Sequence, residues 1–332
     1  MDDRPVVVEV TRGPLAESRH RVRAVAVRAD GRVLHARGAV EEPVYPRSAV
    51  KSVQALPLVE SGAADAFAVT PAELALASAS HGGEPVHTQA VAAWLARIGL
   101  GVADLECGAH APYDPATAEA LARRGEAPTA LHNNCSGKHT GFLATALHRG
   151  EPTRGYAGYD HPVQARLRAV VGEMADLDLS EAPWGVDGCA IPTIGMPLRA
   201  LALCMARMAD PSGLHSARAE AAARITAAWA AHPLLISGTA TFDTDFMTAV
   251  GSRILTKAGA EGVCCAVVPE AGIGLAVKVE DGTTRAAGPA AAAVLRALGL
   301  IDAAEWERLG PVVEPPVKTR LGLTVGRVRC CG

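Results

Sequence analysis

Val263-Cys264-Cys265-Ala266-Val267-Val268 and Ile273-Gly274-Leu275-Ala276-Val277-Lys278-Val279, separated by Pro269-Glu270-Ala271-Gly272, are the stretch whose reading decides the fold. Two apolar runs joined by a Pro/Gly turn read as neighbouring strands, and Asp281-Gly282 marks the turn that follows. Their counterparts stand at the other end of the chain. Val6-Val7-Val8-Glu9-Val10 is β-branched, Val22, Ala24 and Ala26 alternate with Arg21, Arg23 and Val25, and Asp30-Gly31 turns the chain into Val33-Leu34. Between these ends the apolar spacing becomes helical. It runs through Ala49-Val50 and Leu56-Pro57-Leu58-Val59 to Gly62. It continues over Val86–Ile98, Ala116–Arg124, Ser136–His148, His161–Met174, Leu198–Met208 and Leu214–His232. An Ala-rich helix at Pro289–Leu298 comes last, and the tail from Glu314-Pro315-Pro316 has the weakest pattern. This order predicts a single α/β (α+β) domain of two lobes. Residues 1–45 and 255–332 would form an antiparallel sheet built from both chain ends, with a helical region at 46–254 inserted between them.

With 332 residues, 49% of them hydrophobic, the chain can bury a large core without a partner. A net charge of -3 argues against nucleic-acid binding, which needs a basic face. The opening Met1-Asp2-Asp3-Arg4-Pro5 lacks the basic head and apolar run of a secretory signal, and no apolar stretch reaches membrane-spanning length. A cytoplasmic protein with neither nucleic-acid nor membrane partners is expected. Cysteines stand at 107, 135, 189, 204, 264, 265, 330 and 331, and in that compartment most should be buried thiols rather than disulfides. Lysine is scarce. Lys and Arg total 32, yet lysine occurs only at 51, 138, 257, 278 and 318. Where arginine decorates the surface, a lysine is present for its amine.

Three segments carry candidate chemistry. Pro46-Arg47-Ser48-Ala49-Val50-Lys51 puts a serine and a lysine three apart, on one helix face. A serine hydroxyl becomes a nucleophile when a neighbouring base takes its proton, and lysine is that base only when burial or nearby charge keeps it neutral. This is the only S-x-x-K in the chain, against about 0.2 expected by chance, so a capping serine with a surface lysine also fits the pattern. Lys257-Ala258-Gly259-Ala260 precedes the strand Val263–Val268, as a K-[ST]-G motif does at the sheet edge of serine β-lactamases, although Ala258 replaces the hydroxyl residue. Ser78-Ala79-Ser80-His81-Gly82-Gly83-Glu84 offers a further serine beside flexible backbone. Separately, Asn133-Asn134-Cys135-Ser136-Gly137-Lys138-His139 and Asp187-Gly188-Cys189 are dense in ligand-type residues. Spacing alone favours Cys135, His139 and Cys189 as zinc ligands, and two buried structural thiols fit equally well.

Taken together, these segments resemble the bacterial L-asparaginases typified by the inducible rhizobial enzyme. The resemblance runs in order through Thr11-Arg12-Gly13, Glu17-Ser18-Arg19-His20, Pro46–Lys51, Gln54-Ala55-Leu56-Pro57 and Ser80–Glu84. It continues through Asn134–His139, Val186-Asp187-Gly188-Cys189 and Lys257–Val263. Ala190 departs from it where glycine is common, and Cys264 where an aromatic is common. The resemblance implies a serine β-lactamase/glutaminase-like fold, a homodimer, and two Ser–Lys pairs, Ser48–Lys51 and Ser80–Lys257. It also implies zinc held by Cys135, Lys138 and Cys189, replacing His139 in the spacing-based set.

On this reading Ser48 attacks the side-chain amide of L-asparagine and neutral Lys51 accepts its proton. Backbone N–H groups of Ser48 and Ala260 hold the oxyanion, and Ser80 with Lys257 relays a proton to departing ammonia. Asp187 would hold the substrate's α-ammonium and His139 would make a polar contact near it. Three rivals differ in class. A zinc-dependent amidohydrolase would activate water on the metal. A penicillin-binding protein relative would need an S-D-N motif, which this chain lacks. A non-enzymatic, zinc-stabilised binding protein would tolerate loss of Lys51 and Lys257.

Overall fold

The computed structural model describes residues 4–331, so the leading Met1-Asp2-Asp3 read above lie outside it. The chain divides into two compact units, and the division cuts between Ala49 and Val50.

The first unit comprises Met1–Ala49, Met196–Asp210 and Asp245–Gly332. Its centre is an eight-stranded antiparallel sheet of β1 (Val6–Arg12), β2 (Leu15–Arg28), β3 (Val33–Arg37), β4 (Leu255–Gly259), β5 (Val263–Val268), β6 (Ile273–Val279), β7 (Pro316–Lys318) and β8 (Thr324–Cys331). The spatial order is β7-β8-β1-β2-β6-β5-β4, with β3 also paired to β2. Val22 pairs with Val6 on one edge of β2 and with Val279 on the other, so the two chain ends are hydrogen-bonded together at the middle of the sheet. Every residue of β5 is buried. The reason is two-sided cover: the helices Leu198–Ala209 and Ala287–Ala297 both pack on β5 and β6. The helix Leu198–Ala209 therefore belongs with the sheet, although its place in the sequence falls inside the expected helical region. Its apolar surface is too extensive for solvent, with ten of its twelve residues buried.

The second unit comprises Val50–Gly195 and Pro211–Thr244 and is helical apart from a short two-stranded ribbon, Trp184–Val186 with Pro192–Ile194. At its centre runs Ser136–Arg149, of which residues 136–146 are all buried. Gly137 explains how that helix packs so closely. A Cβ there would lie 2.5 Å from the carbonyl oxygen of Leu76, on the helix Pro71–Ala77, so only glycine allows the approach. Pro71–Ala77 is not evident from apolar periodicity, yet its start is well specified. Thr70 and Glu73 form a reciprocal capping box. The helices Phe242–Val250 and Ala303–Val313 and the tail strands β7 and β8 are likewise found only in the structure.

One buried ion network joins three helices of this unit. Arg218, only 6% exposed, donates through Nε to Glu60 at 2.6 Å and through Nη1 to Glu173. Removing one partner of a buried pair leaves an uncompensated charge. Arg218→Ala should destabilise the protein by about 2–3 kcal/mol, scaled down from a fully buried pair because Glu173 is exposed. Urea unfolding checks this, and a change under about 0.5 kcal/mol would contradict it.

Candidate active site

In the first unit, Ser48 lies in the 3-10 turn Arg47–Val50 and is half-buried. The residue before it, Arg47, is left-handed at φ 49, a conformation that costs an L-residue about 1–2 kcal/mol. Lys257 sits mid-strand in β4, opposite Cys265, and is 1% exposed. Its Nζ donates to the carbonyl of Ala258 at 2.8 Å. Gly259 ends the strand, and a Cβ there would meet Ala49 N and Pro46 O at 3.1 Å and Ser48 N at 3.4 Å. The glycine of the K-A-G segment therefore lets the strand end press directly on the backbone of the serine turn. Ala260 follows in the hairpin loop, beside Glu261 at φ 59.

In the second unit, Lys51 opens a short helix, Lys51–Gln54, and is 1% exposed. Its Nζ donates to Ala79 O at 2.6 Å and to Ser80 Oγ at 2.8 Å. Burial, opposed in part by the thiols of Cys135 and Cys189, holds this amine below the ordinary lysine value. Ser80 follows the helix Pro71–Ala77, its N–H bonded to Ile236 O. The neighbouring His81 has a defined tautomer: Gly83 N–H donates to its Nδ1, so its Nε2–H donates to Ser136 Oγ at 2.9 Å. Ser136 in turn donates to Leu131 O. The Ser80 segment is thereby tied to the start of the helix that carries Lys138 and His139.

Cys135, Lys138 and Cys189 come together in the same unit, all buried, with Lys138 Nζ 3.2 Å from Cys189 Sγ. The Cys135 N–H donates to Asn133 Oδ1 at 2.9 Å, and Asn133 Nδ2 donates to Cys107 O at 2.8 Å. A hydrogen bond between the two thiols lowers Cys189, helped by the Lys138 charge, and raises Cys135, helped by burial, so Cys189 is the thiol favoured as thiolate. Burial works against charge on Lys138, but the thiolate and Asp187 outweigh it and keep the amine protonated. Asp187 occupies the turn of the two-stranded ribbon, half-buried, with Oδ1 accepting from Gly188 N at 2.7 Å. Three residues on, Ala190 is left-handed at φ 71. That backbone demand is the physical reason glycine suits the position.

His139 is fully buried, and burial, then the Lys138 charge, pushes it down to about 3. Its Nδ1 lies 2.8 Å from the Tyr156 hydroxyl. Among the described residues no group of three or more His, Cys, Asp or Glu side chains could hold a metal. The set suggested by spacing, Cys135 with His139 and Cys189, is therefore not assembled, because His139 is turned toward Tyr156. Tyr156, with Glu106 and Gln164 around it, was not visible from the sequence. It stands outside every motif, and its only signal is rarity, as one of four tyrosines.

A family model described as L-asparaginase II matches residues 8–330. The chain belongs to the L-asparaginase II family. No curated protein matches it. Among solved structures, Mglu in its native form is 14% identical, with 85% of this chain and 66% of that chain covered and a TM-score of 0.48. Mglu in its tris and glutamate form is 16% identical over 86% of this chain and 61% of that one, TM-score 0.41. The chain thus spans no more than about two thirds of the length of these Mglu chains. A β-lactamase from Mycobacterium bovis is 15% identical over 83% of this chain and 93% of that one, TM-score 0.42. No helix among the described residues is long and apolar enough to cross a membrane.

For this L-asparaginase II family member, the donor set at Cys135, Lys138 and Cys189 suits zinc: two sulfurs and one nitrogen, buried and already in mutual contact. The ammonium–thiolate pair would exchange its protons for the ion on binding.

The strain at Ala190 gives a direct test. Ala190→Gly removes a left-handed alanine and should stabilise the protein by about 0.5–1 kcal/mol, after the entropy that glycine adds to the unfolded chain. Chemical denaturation reads this as a raised midpoint, and a lowered midpoint would contradict it.

Proposed function

We propose that this protein hydrolyses L-asparagine to L-aspartate and ammonia through a serine–lysine acyl-enzyme mechanism. The observation that carries the reading is the hydrogen bond from the buried Lys51 Nζ to the half-buried Ser80 Oγ at 2.8 Å, in a chain of the L-asparaginase II family. A lysine amine withdrawn from water and held on a serine hydroxyl is arranged for proton transfer rather than for solubility.

In this mechanism Ser48 Oγ attacks the side-chain carbonyl carbon of the substrate. Lys51, neutral, takes the hydroxyl proton. The backbone N–H groups of Ser48 and Ala260 receive the developing oxyanion, the kind of preorganised donors that favour such a transition state. As the C–N bond breaks, Ser80 and Lys257 pass a proton to the departing nitrogen and ammonia leaves. Water then attacks the aspartyl ester, the proton route runs in reverse, and L-aspartate is released. Asp187 pairs with the substrate's α-ammonium, and His139 contacts a polar group beside it. Zinc would be held by Cys135, Lys138 and Cys189, where it supplies a positive charge that orients polar groups of the substrate. A cytoplasmic homodimer accompanies this reading through the family resemblance.

The Lys51–Ser80 contact also favours a second reading, in which Ser80 is the nucleophile and Ser48 the relay. Ammonia release from L-asparagine separates the readings. Ser48→Ala, folded and zinc-loaded, should lose about 10³-fold or more in kcat, with a smaller loss for Ser80→Ala. The reverse ranking makes Ser80 the nucleophile. Activity retained in both variants but abolished by chelation would sink the serine mechanism in favour of metal-activated water.

Gly259→Ala tests the support of the serine turn without touching a reacting group. Its Cβ must displace backbone at Pro46 and Ala49 by a few tenths of an ångström. A misplacement of that kind should lower kcat about tenfold or more while the thermal midpoint falls by only a few degrees. Unchanged kcat would show that the contact does not position Ser48.

A further inference from the structure

Tyr156 is fully buried and is held on every polar side. Glu106 N–H donates to its hydroxyl oxygen at 2.8 Å, and Gln164 Nε2 donates to its carbonyl at 2.9 Å. The Glu106 carboxylate also takes the N–H groups on either side of it, Gly155 at 2.7 Å and Ala157 at 3.3 Å. With its oxygen accepting from Glu106, the tyrosine hydroxyl must find an acceptor for its own proton. Among the described residues His139 Nδ1, at 2.8 Å, is that acceptor. A neutral imidazole that accepts at Nδ1 carries its hydrogen on Nε2.

His139 Nε2 is itself buried and has no partner among the described residues. A buried N–H left unpaired costs about 1–3 kcal/mol, so the position calls for an acceptor from outside the chain. The ring lies one residue beyond Lys138, on a helix turn whose electrostatic neighbours include Lys51 and Cys135. An N–H there can serve an oxygen. It cannot serve an ammonium, which needs an acceptor.

We propose that Tyr156 is a positioning residue that fixes His139 as an Nε2–H donor, and that this donor binds a carboxylate oxygen of the amino-acid substrate. The division of labour follows from charge: Asp187 takes the cationic end of the amino acid and His139 the anionic end. This inference rests on the proposed asparagine hydrolysis for the identity of the ligand, but not for the tautomer.

Two measurements on the zinc-loaded, full-length protein test it. The first is the ¹⁵N spectrum of histidine side chains in wild type and Tyr156→Phe. Wild-type His139 should show the Nε2–H tautomer, and the variant, which has lost the hydroxyl proton, should shift toward Nδ1–H. The wild-type spectrum requires no variant to fold, and an Nδ1–H tautomer there overturns the proposal. The second is steady-state kinetics with L-asparagine. Tyr156→Phe should raise KM about three- to tenfold with kcat within about twofold of wild type, the split expected for a ground-state carboxylate contact. An unchanged KM with the tautomer shifted assigns the Nε2–H to bound water and overturns the substrate contact. Failure of the wild type to release ammonia from asparagine refutes the assigned reaction, and the spectrum still decides whether Tyr156 sets the tautomer.

Discussion

Keeping lysine amines out of water is the constraint on which the rest of this structure depends. Lys51, Lys138 and Lys257 are each no more than 2% exposed and rank among the largest fully buried side chains. An unpaired ammonium in such a place costs several kcal/mol, so each amine must either give up its proton or find compensating groups. Each does so with a different partner. Lys51 has a carbonyl and a serine hydroxyl, Lys138 a thiolate, and Lys257 the carbonyl of its neighbour Ala258. Three of the five lysines are placed in the interior in this way, while Lys278 is half-buried and Lys318 exposed.

The backbone around these amines is shaped to serve them. Gly137 lets the helix bearing Lys138 and His139 close onto Leu76, and Gly259 lets the strand bearing Lys257 close onto the turn of Ser48. Among the described residues, three of the six left-handed non-glycine residues adjoin proposed site groups: Arg47 before Ser48, Ala190 after Cys189 and Glu261 after Ala260. Strain of this sort persists only where surrounding packing enforces it, and it concentrates where geometry matters more than stability. The hydrogen-bond chains through His81 and Tyr156 have the same character. Each fixes one imidazole tautomer with donors and acceptors that have no freedom to exchange roles.

Much of this was legible in the residues. The strands Val263–Val268 and Ile273–Val279 have the bounds that their apolar runs indicate, and the helix Ser136–Arg149 follows its 3.6-residue spacing. Periodicity failed where burial is not one-sided. Pro71–Ala77 is buried nearly all round and shows no amphipathic stripe, whereas Leu198–Ala209 is the helix its spacing indicates and only its packing against the sheet was hidden. The tail strands show no alternation of buried and exposed residues, with only Val328 of β8 buried; β8 pairs along β1 and β7 pairs along β8.

The sequence by itself determined which residue types could do the chemistry: a single S-x-x-K, few lysines, and thiols beside a third ligand-type residue. Those are properties of composition and local order, which side-chain chemistry makes readable. Only the tertiary structure decided the partners. That Lys51 reaches Ser80, that Lys138 rather than His139 meets Cys189, and that Tyr156 and Glu106 govern His139 all depend on contacts between residues 17 to 51 positions apart or on the facing of a ring. Spacing along one helix places Lys138 and His139 equally near Cys135. The direction in which a buried side chain can satisfy its hydrogen bonds then separates them, and that is set by neighbours the local sequence does not contain.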